Sequence, residues 1–434
     1  MKEKEEGLKR YVGVLGLSAN IVNIIIGAGI FVIPAIVAQK MGSTSIVAYL
    51  FCGFLTALVM LCFAEAGSKV TNTGGGFAYV EAAFGKYSGF LVANIGLATA
   101  TLSDAAVANA LVDILATSFT VFNTEWVRIL SFALLFFGLA LINIIGVKQG
   151  IGLVKTFTLL KLIPLFLLIF IGLPEISISN LIWESPPTIR QIGETSLILF
   201  FAFQGGDVGL TIGGEIKNPK KTIPKAIFIS ILAVLIIYIL IQTVTQGILG
   251  NELANFTDAP LAETAKVIFG PIGFTILFIG AAISMFGSLT GEVLNNPRML
   301  FALARDKVIP IKKLALIHPK YKTPYTSILL YAAVGFFLAV FGGFKQLIIF
   351  ASAGALIFYL GTVLSVIKLR KMRKAAADEF EIPGGLLVPI LATITILYFL
   401  SNLVINEIIG IVVFVVILTL VYGLILYFKK RKND

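Results

Sequence analysis

Between residues 14 and 428 the chain is a succession of long apolar runs separated by short polar segments. The runs fall at about 14–39, 44–66, 87–116, 127–146, 153–173, 194–214, 224–249, 270–303, 325–342, 346–367, 384–404 and 407–428. About 20 apolar residues cross a hydrocarbon core as a helix, so the pattern predicts an all-α membrane protein with about 12 transmembrane helices. The alternation of apolar and polar residues that marks a membrane β-strand is absent. Two runs are interrupted at their middles, the first by Gly27-Ala28-Gly29 and the sixth by Gly205-Gly206. Opening a backbone inside lipid is costly, which points to something polar bound at the opening.

The interruptions lie in runs one and six, so the first ten helices divide into two sets of five. An odd number per set forces the two sets into opposite membrane orientations. Glycine-interrupted segments at equivalent positions of two halves are the mark of an inverted-repeat transporter with a midplane site. The expected organisation is a single polytopic domain over 1–434. Repeat one covers about 11–173 and repeat two about 193–367, and helices 11 and 12, at about 384–428, lie outside the repeat. Close packing of small residues is the alternative explanation for either break alone; it does not explain why both occupy corresponding positions.

Composition agrees, with 58% hydrophobic and 13% charged residues in 434. With the N-terminus inside, 26 of the 34 Lys and Arg residues fall in cytoplasmic loops and tails, as short-loop charge bias requires. Lys40, Arg128, Arg190, Lys266 and Lys345 fall outside, and Lys155, Lys161 and Arg298 lie within runs. The net charge of +11 is therefore a topology signal for a multi-pass protein of the cell membrane with both termini cytoplasmic, and it carries no implication of nucleic-acid binding. The first run has no small-residue cleavage site and is expected to stay as the first helix. Cys52 and Cys62 read as small hydrophobes in the second run, and His318 as a solvated loop residue. No metal-ligand cluster, HExxH or GxSxG arrangement is visible in the runs, so the chain reads as a non-enzyme without cofactor or metal.

Three loops have compositions that imply roles. The cytoplasmic segment 68–86 contains Thr73, Gly74, Gly75, Gly76 and Tyr79; it lacks the lysine and hydroxyl of a phosphate loop and is expected to be a flexible or amphipathic inner gate. Residues 174–192, with Pro186 and Pro187, form an outer loop. Residues 250–269, with Leu253, Phe256, Leu261, Val267 and Ile268 among acids, are expected to lie amphipathically over the entrance.

At the first break, the half-helix after Gly27-Ala28-Gly29 presents free N–H groups and a positive dipole end, which suit a carboxylate. At the second, Phe201-Ala202-Phe203-Gln204-Gly205-Gly206-Asp207 leaves carbonyls at the end of its first half-helix, which suit an ammonium group. Opposed donors and acceptors at one depth make a receptor for a zwitterion, the backbone portion of an amino acid.

These residues resemble the amino acid, polyamine and organocation (APC) superfamily, whose members share the LeuT fold. The resemblance covers nearly the whole chain. It is carried by Gly27-Ala28-Gly29-Ile30-Phe31 with Pro34, and by Thr73-Gly74-Gly75-Gly76-Phe77-Ala78-Tyr79 with Phe84-Gly85. It continues in Phe201-Ala202-Phe203 with Glu215-Ile216-Lys217-Asn218-Pro219 and Thr222-Ile223-Pro224, and in Arg298-Met299-Leu300 with Ala304-Arg305-Asp306. The resemblance implies a LeuT-like 5+5 inverted repeat with helices 1 and 6 broken. It implies that Ile25, Gly27, Ala28 and Gly29 hold the substrate carboxylate, that Ala202, Gln204 and Gly205 receive the amino group, and that Phe201 is the aromatic gate. Ala28 departs from the Ser or Thr common between the two glycines, which removes a hydroxyl donor and leaves the backbone amides.

Ionisable residues inside the runs cost at least about 2.5–3.5 kcal/mol each at the bilayer centre, so each needs a reason. Lys161 lies about 12 Å deep at about 1.5 Å per residue, too deep for easy snorkelling. It resembles a fifth-helix lysine whose ammonium occupies the region where sodium-coupled relatives bind their cation, which implies sodium independence. By the same resemblance Asp104 borders the substrate, Asp207 is a proton or gate residue just beyond the sixth-helix break, and Glu292 looks toward the site. The competing reading makes each acid the buried partner of Lys155, Lys161, Arg298 or a backbone group. Desolvated carboxylates take up protons more readily, which brings proton coupling within reach.

The expected function is secondary active transport of amino acids by alternating access, sodium-independent, through proton-coupled symport or amino acid exchange. The partners expected are a small-molecule amino acid, protons and the bilayer. A cationic amino acid or polyamine antiporter, and a non-transporting amino acid sensor, are the alternatives. Ile25, Ala28, Phe201 and Phe203 favour neutral substrates, while the acids leave a cationic side chain open.

Overall fold

The computed structural model describes residues 12–430 apart from 71–74, 146–150, 209–215, 306–307, 310, 374 and 377–378. Thr73, Gly74, Glu215 and Asp306 fall outside the described residues, as does the side chain of Lys155. Fifteen α-helices are described: α1 Val14–Ile25, α2 Gly29–Met41, α3 Ile46–Lys69, α4 Gly76–Phe84 and α5 Lys86–Ser118. The next five are α6 Glu125–Ile145, α7 Ile151–Gly172, α8 Ile189–Leu199, α9 Pro219–Leu249 and α10 Pro260–Phe269. The last five are α11 Pro271–Arg305, α12 Tyr325–Phe341, α13 Phe344–Met372, α14 Leu387–Leu400 and α15 Ile405–Lys430. Extended pairing among the described residues is confined to a single bridge between Val12 and Ile216.

Seven stretches are long and apolar enough to cross a membrane: 29–69, 86–118, 125–145, 221–255, 271–305, 344–372 and 405–427. The chain is thus a multi-pass helical membrane protein. This number is lower than twelve for identifiable reasons. The first apolar run is split into α1 and α2, while α2 continues into α3 through the 3-10 turn Gly42–Ser45 and the pair forms one continuous stretch. Helices α1, α12 and α14 are apolar and shorter.

Segment ends follow local chemistry. The outer loop expected at 174–192 gives way to helix already at Ile189, because Thr188 and Gln191 form a reciprocal capping box; the Thr-x-x-Gln spacing is a start signal legible in the sequence. Part of the glycine-rich cytoplasmic segment is the helix α4, bounded by Gly75 and Gly85. In the 250–269 segment, α10 buries Leu261, Ala262 and Ala265 on one face, whereas Val267 is exposed. His318 lies in a loop, where its Nδ1 accepts the N–H groups of Lys320 and Tyr321 at 3.2 Å each.

The core runs through α1, α2, α3, α5, α9, α11 and α13. Helix α15 is the outlier, since almost all of its surface is exposed. An apolar helix can remain so only where lipid covers it.

The ends of α3 and α13 are joined by charge. Glu65 is fully buried and accepts Arg370 Nε and Nη2 at 2.7 and 2.5 Å, Lys69 Nζ at 2.8 Å and the Ile382 N–H at 2.9 Å. Beyond it, Arg373 pairs with Glu379 at 2.5 Å and donates to the Lys69 carbonyl at 2.9 Å. Removing one member of a buried ion cluster leaves the others uncompensated at about 3–5 kcal/mol. Glu65→Ala is therefore expected to lower thermal stability in detergent by that order, and the Glu65→Ala/Arg370→Ala pair by clearly less than the sum of the single changes. An unaltered melting temperature in Glu65→Ala would show that the cluster does not hold these helix ends.

Candidate substrate site at the helix breaks

Helix α1 stops at Ile25 and α2 begins at Gly29, with Ile26, Gly27 and Ala28 in a bend. The turn is tight, because the Gly27 N–H donates to the Ile25 carbonyl at 2.8 Å. Among the described residues no backbone acceptor meets the N–H groups of Ala28, Gly29 or Ile30, as the first turn of a helix requires. The positive end of α2 thus opens in the interior of the protein, where Gly29 and Ile30 are buried.

The second break has a different shape. Helix α8 ends at Leu199, tightens into the 3-10 turn Phe200–Phe203, and Gln204 then turns extended. Gly205 follows at φ +91, a region that strains any side chain. Gln204 Nε2 donates to Ser352 Oγ of α13 at 3.2 Å, and the Gly205 carbonyl accepts the Val208 N–H at 3.1 Å.

The breaks meet at one point. A Cβ on Gly29 would lie 2.8 Å from the Cβ and 2.9 Å from the Cα of Ala202, so the two backbones touch where glycine removes the side chain. Gly27 instead faces α11, where Ser288 Oγ would lie 3.6 Å from an added Cβ and Ser284 Oγ stands 3.5 Å from its carbonyl. The structure therefore brings Ile25, Gly27, Ala28, Gly29, Ala202, Gln204 and Gly205 into one neighbourhood.

Tyr238 of α9 ties the breaks together. Its buried hydroxyl stands 3.1 Å from the Ile25 carbonyl and 2.9 Å from the Ala202 carbonyl, and its single proton can serve one of them at a time. Its ring packs edge-on against Phe203 at 5.1 Å and Tyr49 at 6.4 Å, and Tyr49 donates to Gln242 Oε1 at 3.0 Å. Sequence reasoning missed Tyr238. The available signal was a hydroxyl in mid-run among Leu235, Ile236, Ile237 and Ile239, which has to find a partner inside the protein.

The ionisable residues are held by neutral groups. Lys161 Nζ donates to the Asn23 carbonyl at 2.6 Å, in the last turn before the first break. Asp207 accepts from the Tyr359 hydroxyl at 2.8 Å. Asp104, buried on α5, accepts from the Tyr331 hydroxyl at 2.6 Å; Asn296 donates to Tyr331 Oη and to Glu292 Oε2, both at 2.9 Å. Asp104 and Glu292 thus end a four-residue chain across α5, α12 and α11, in which Asp104 is enclosed and Glu292 is accessible to solvent. Among the described residues no ion pair joins Asp104, Lys161, Asp207 and Glu292 to one another. Phe201 meets Phe344 of α13 edge-on at 6.2 Å.

A solvated cleft of N–H groups beside carbonyls, with no cluster of three His, Cys, Asp or Glu among the described residues, favours binding over bond-making chemistry. Comparison with known proteins agrees. Residues 12–426 match the family described as amino acid permease. The serine/threonine exchanger SteT of Bacillus subtilis (strain 168) is 31% identical over 418 residues, covering 94% of each chain. The branched-chain amino acid permease BcaP of the same organism is 24% identical, covering 99% of this chain and 95% of its own. The human large neutral amino acids transporter small subunit 2 is 28% identical, covering 88% and 74%. These relatives are transporters rather than enzymes, and the chain belongs to the amino acid permease family of the amino acid, polyamine and organocation (APC) superfamily.

Proposed function

We propose that the protein is a sodium-independent exchanger of neutral amino acids, working by alternating access across the cell membrane with both termini in the cytoplasm. The observation that carries this reading is the meeting of the two breaks at Gly29 and Ala202. It sets the N–H groups that open α2 beside the carbonyls of Ile25 and Ala202. A zwitterion placed there has its carboxylate at the positive end of α2 and its ammonium among carbonyls. Each carbonyl already engaged by Tyr238 keeps a second lone pair for that purpose. In this reading Ile25, Gly27, Ala28 and Gly29 bind the carboxylate, Ala202, Gln204 and Gly205 the amino group, and Phe201 closes over the side chain.

Twelve spans in a LeuT-like 5+5 arrangement complete the proposal. Helices α1 to α7 would form repeat one, α8 to α13 repeat two, and α14 and α15 the appendix. The exposure of α15 supports its place outside the repeat. Sodium independence is supported by Lys161, whose ammonium engages the Asn23 carbonyl and so supplies a fixed cation beside the break. Exchange is favoured by the likeness to a serine/threonine exchanger. Neutral substrates are favoured because Asp104, Asp207 and Glu292 already have hydroxyl or amide partners. Proton symport is the second reading, and the Asp104–Tyr331–Asn296–Glu292 chain supports it.

Proteoliposomes loaded with serine or leucine are expected to take up external tracer at least about tenfold faster than empty ones, equally in sodium and choline buffers. Strict sodium dependence would overturn the role given to Lys161. Uptake into empty vesicles driven by an inward proton gradient alone would favour symport over exchange.

Gly29→Val forces a side chain into Ala202 and is expected to abolish tracer binding while membrane insertion is retained. Wild-type uptake by this variant would remove Gly29 from the site. Tyr238→Phe leaves a carbonyl short of its donor, at about 1–3 kcal/mol. Its apparent affinity is expected to fall by about tenfold, with unchanged affinity arguing that Tyr238 only packs.

A further inference from the structure

A second cavity lies away from the breaks. It has a volume of about 220 Å³ and is lined by Val32, Ile36 and Gln39 of α2, Ala110 and Asp113 of α5, Thr257 and Asp258 before α10, and Phe344 and Lys345 at the start of α13. Arg370 stands 26 residues further along α13, so the cavity opens about 39 Å, at about 1.5 Å per residue, from the Glu65–Arg370 cluster. In the proposed topology that is the outer face.

Its walls are apolar, and its rim carries both signs of charge. Asp113 is already bound, by Arg128 Nη2 at 2.7 Å. Asp258 and Lys345 are exposed, and among the described residues neither is in an ion pair. Thr257 Oγ1 stands 3.3 Å from Asp258 Oδ1. The segment that carries Asp258 is tied to α2 through Gln39 Nε2, which donates to the Ala254 carbonyl at 2.8 Å. One wall is the Phe344 ring, and the partner of that ring is Phe201 at the second break. The cavity and the central site are therefore separated by a pair of aromatic rings. Its volume is below the roughly 300–1,000 Å³ of sites for drug-sized ligands, which suits a molecule of amino-acid size.

We propose that this cavity is a second amino-acid site, a loading station in which Lys345 takes the carboxylate and Asp258 the ammonium before the Phe201–Phe344 pair admits the substrate to the breaks. The proposal rests on the amino acid transport reading above. The N–H groups in the first turn of α13 add to the attraction Lys345 exerts on a carboxylate. Because both charges are exposed, each contributes modestly, and the station raises local substrate concentration rather than setting final affinity.

The test is equilibrium dialysis of the purified full chain in nanodiscs against tritiated L-serine and, in parallel, tritiated L-leucine, combined with uptake kinetics. The wild type is expected to bind two amino acids per chain. Lys345→Gln, Asp258→Asn and Gly29→Val are each expected to bind one. In the two charge variants half-saturation of uptake should rise by about three- to fivefold with the maximal rate retained, and Lys345→Arg should restore it. One bound amino acid per wild-type chain, or unchanged half-saturation in both charge variants, overturns the loading station and leaves the central site standing. Absence of binding and of uptake for both probes overturns the transport reading and this proposal with it.

Discussion

An unpaired peptide group inside a hydrocarbon layer costs several kcal/mol, and the architecture follows from where this chain pays that cost. Most of its helices satisfy their own backbone and need only apolar side chains outside. At residues 26–28 and 200–207 the ladder is broken, and groups elsewhere must compensate. Gly27 folds back on Ile25, Tyr238 donates to Ile25 or Ala202, and Lys161 donates to Asn23. The N–H groups that open α2 are left for a ligand.

That compensation depends on close approach. Gly29 lets the first break touch Ala202 of the second, and without that contact one tyrosine hydroxyl could not stand within reach of both carbonyls. The small residues are thus the condition for the hydrogen bonds, and the hydrogen bonds make the open backbone tolerable. Further along the same helices, the buried Glu65 cluster joins the ends of α3 and α13. An ion cluster contributes little net stability against an apolar alternative, but it is intolerant of losing one member. Such a joint holds one arrangement closely and releases as a unit.

The buried acids show how hydroxyl and amide groups take the place of counter-ions. Asp104, Asp207 and Glu292 each meet a neutral donor, so the interior keeps its carboxylates separated from Lys161. In the functional reading, this leaves the zwitterion's own charges as the variable ones at the breaks.

Hydropathy and glycine position are local properties, and everything that depends on them was legible in the chain. The apolar runs, the breaks at Gly27–Gly29 and Gly205, the membrane class and the family motifs could all be read before any coordinates. The capping box of Thr188 and Gln191 was equally local. Partnerships across the fold could not be read, because nothing within a few residues of Tyr238, Tyr331, Tyr359 or Arg370 signals what each will meet. Their partners lie 213, 227, 152 and 305 residues away. The same distance in sequence hides the cavity at Lys345, whose lining comes from four separate segments. One dimension therefore establishes where the backbone opens in lipid, and only three-dimensional packing decides which distant side chains close it and which groups remain for substrate.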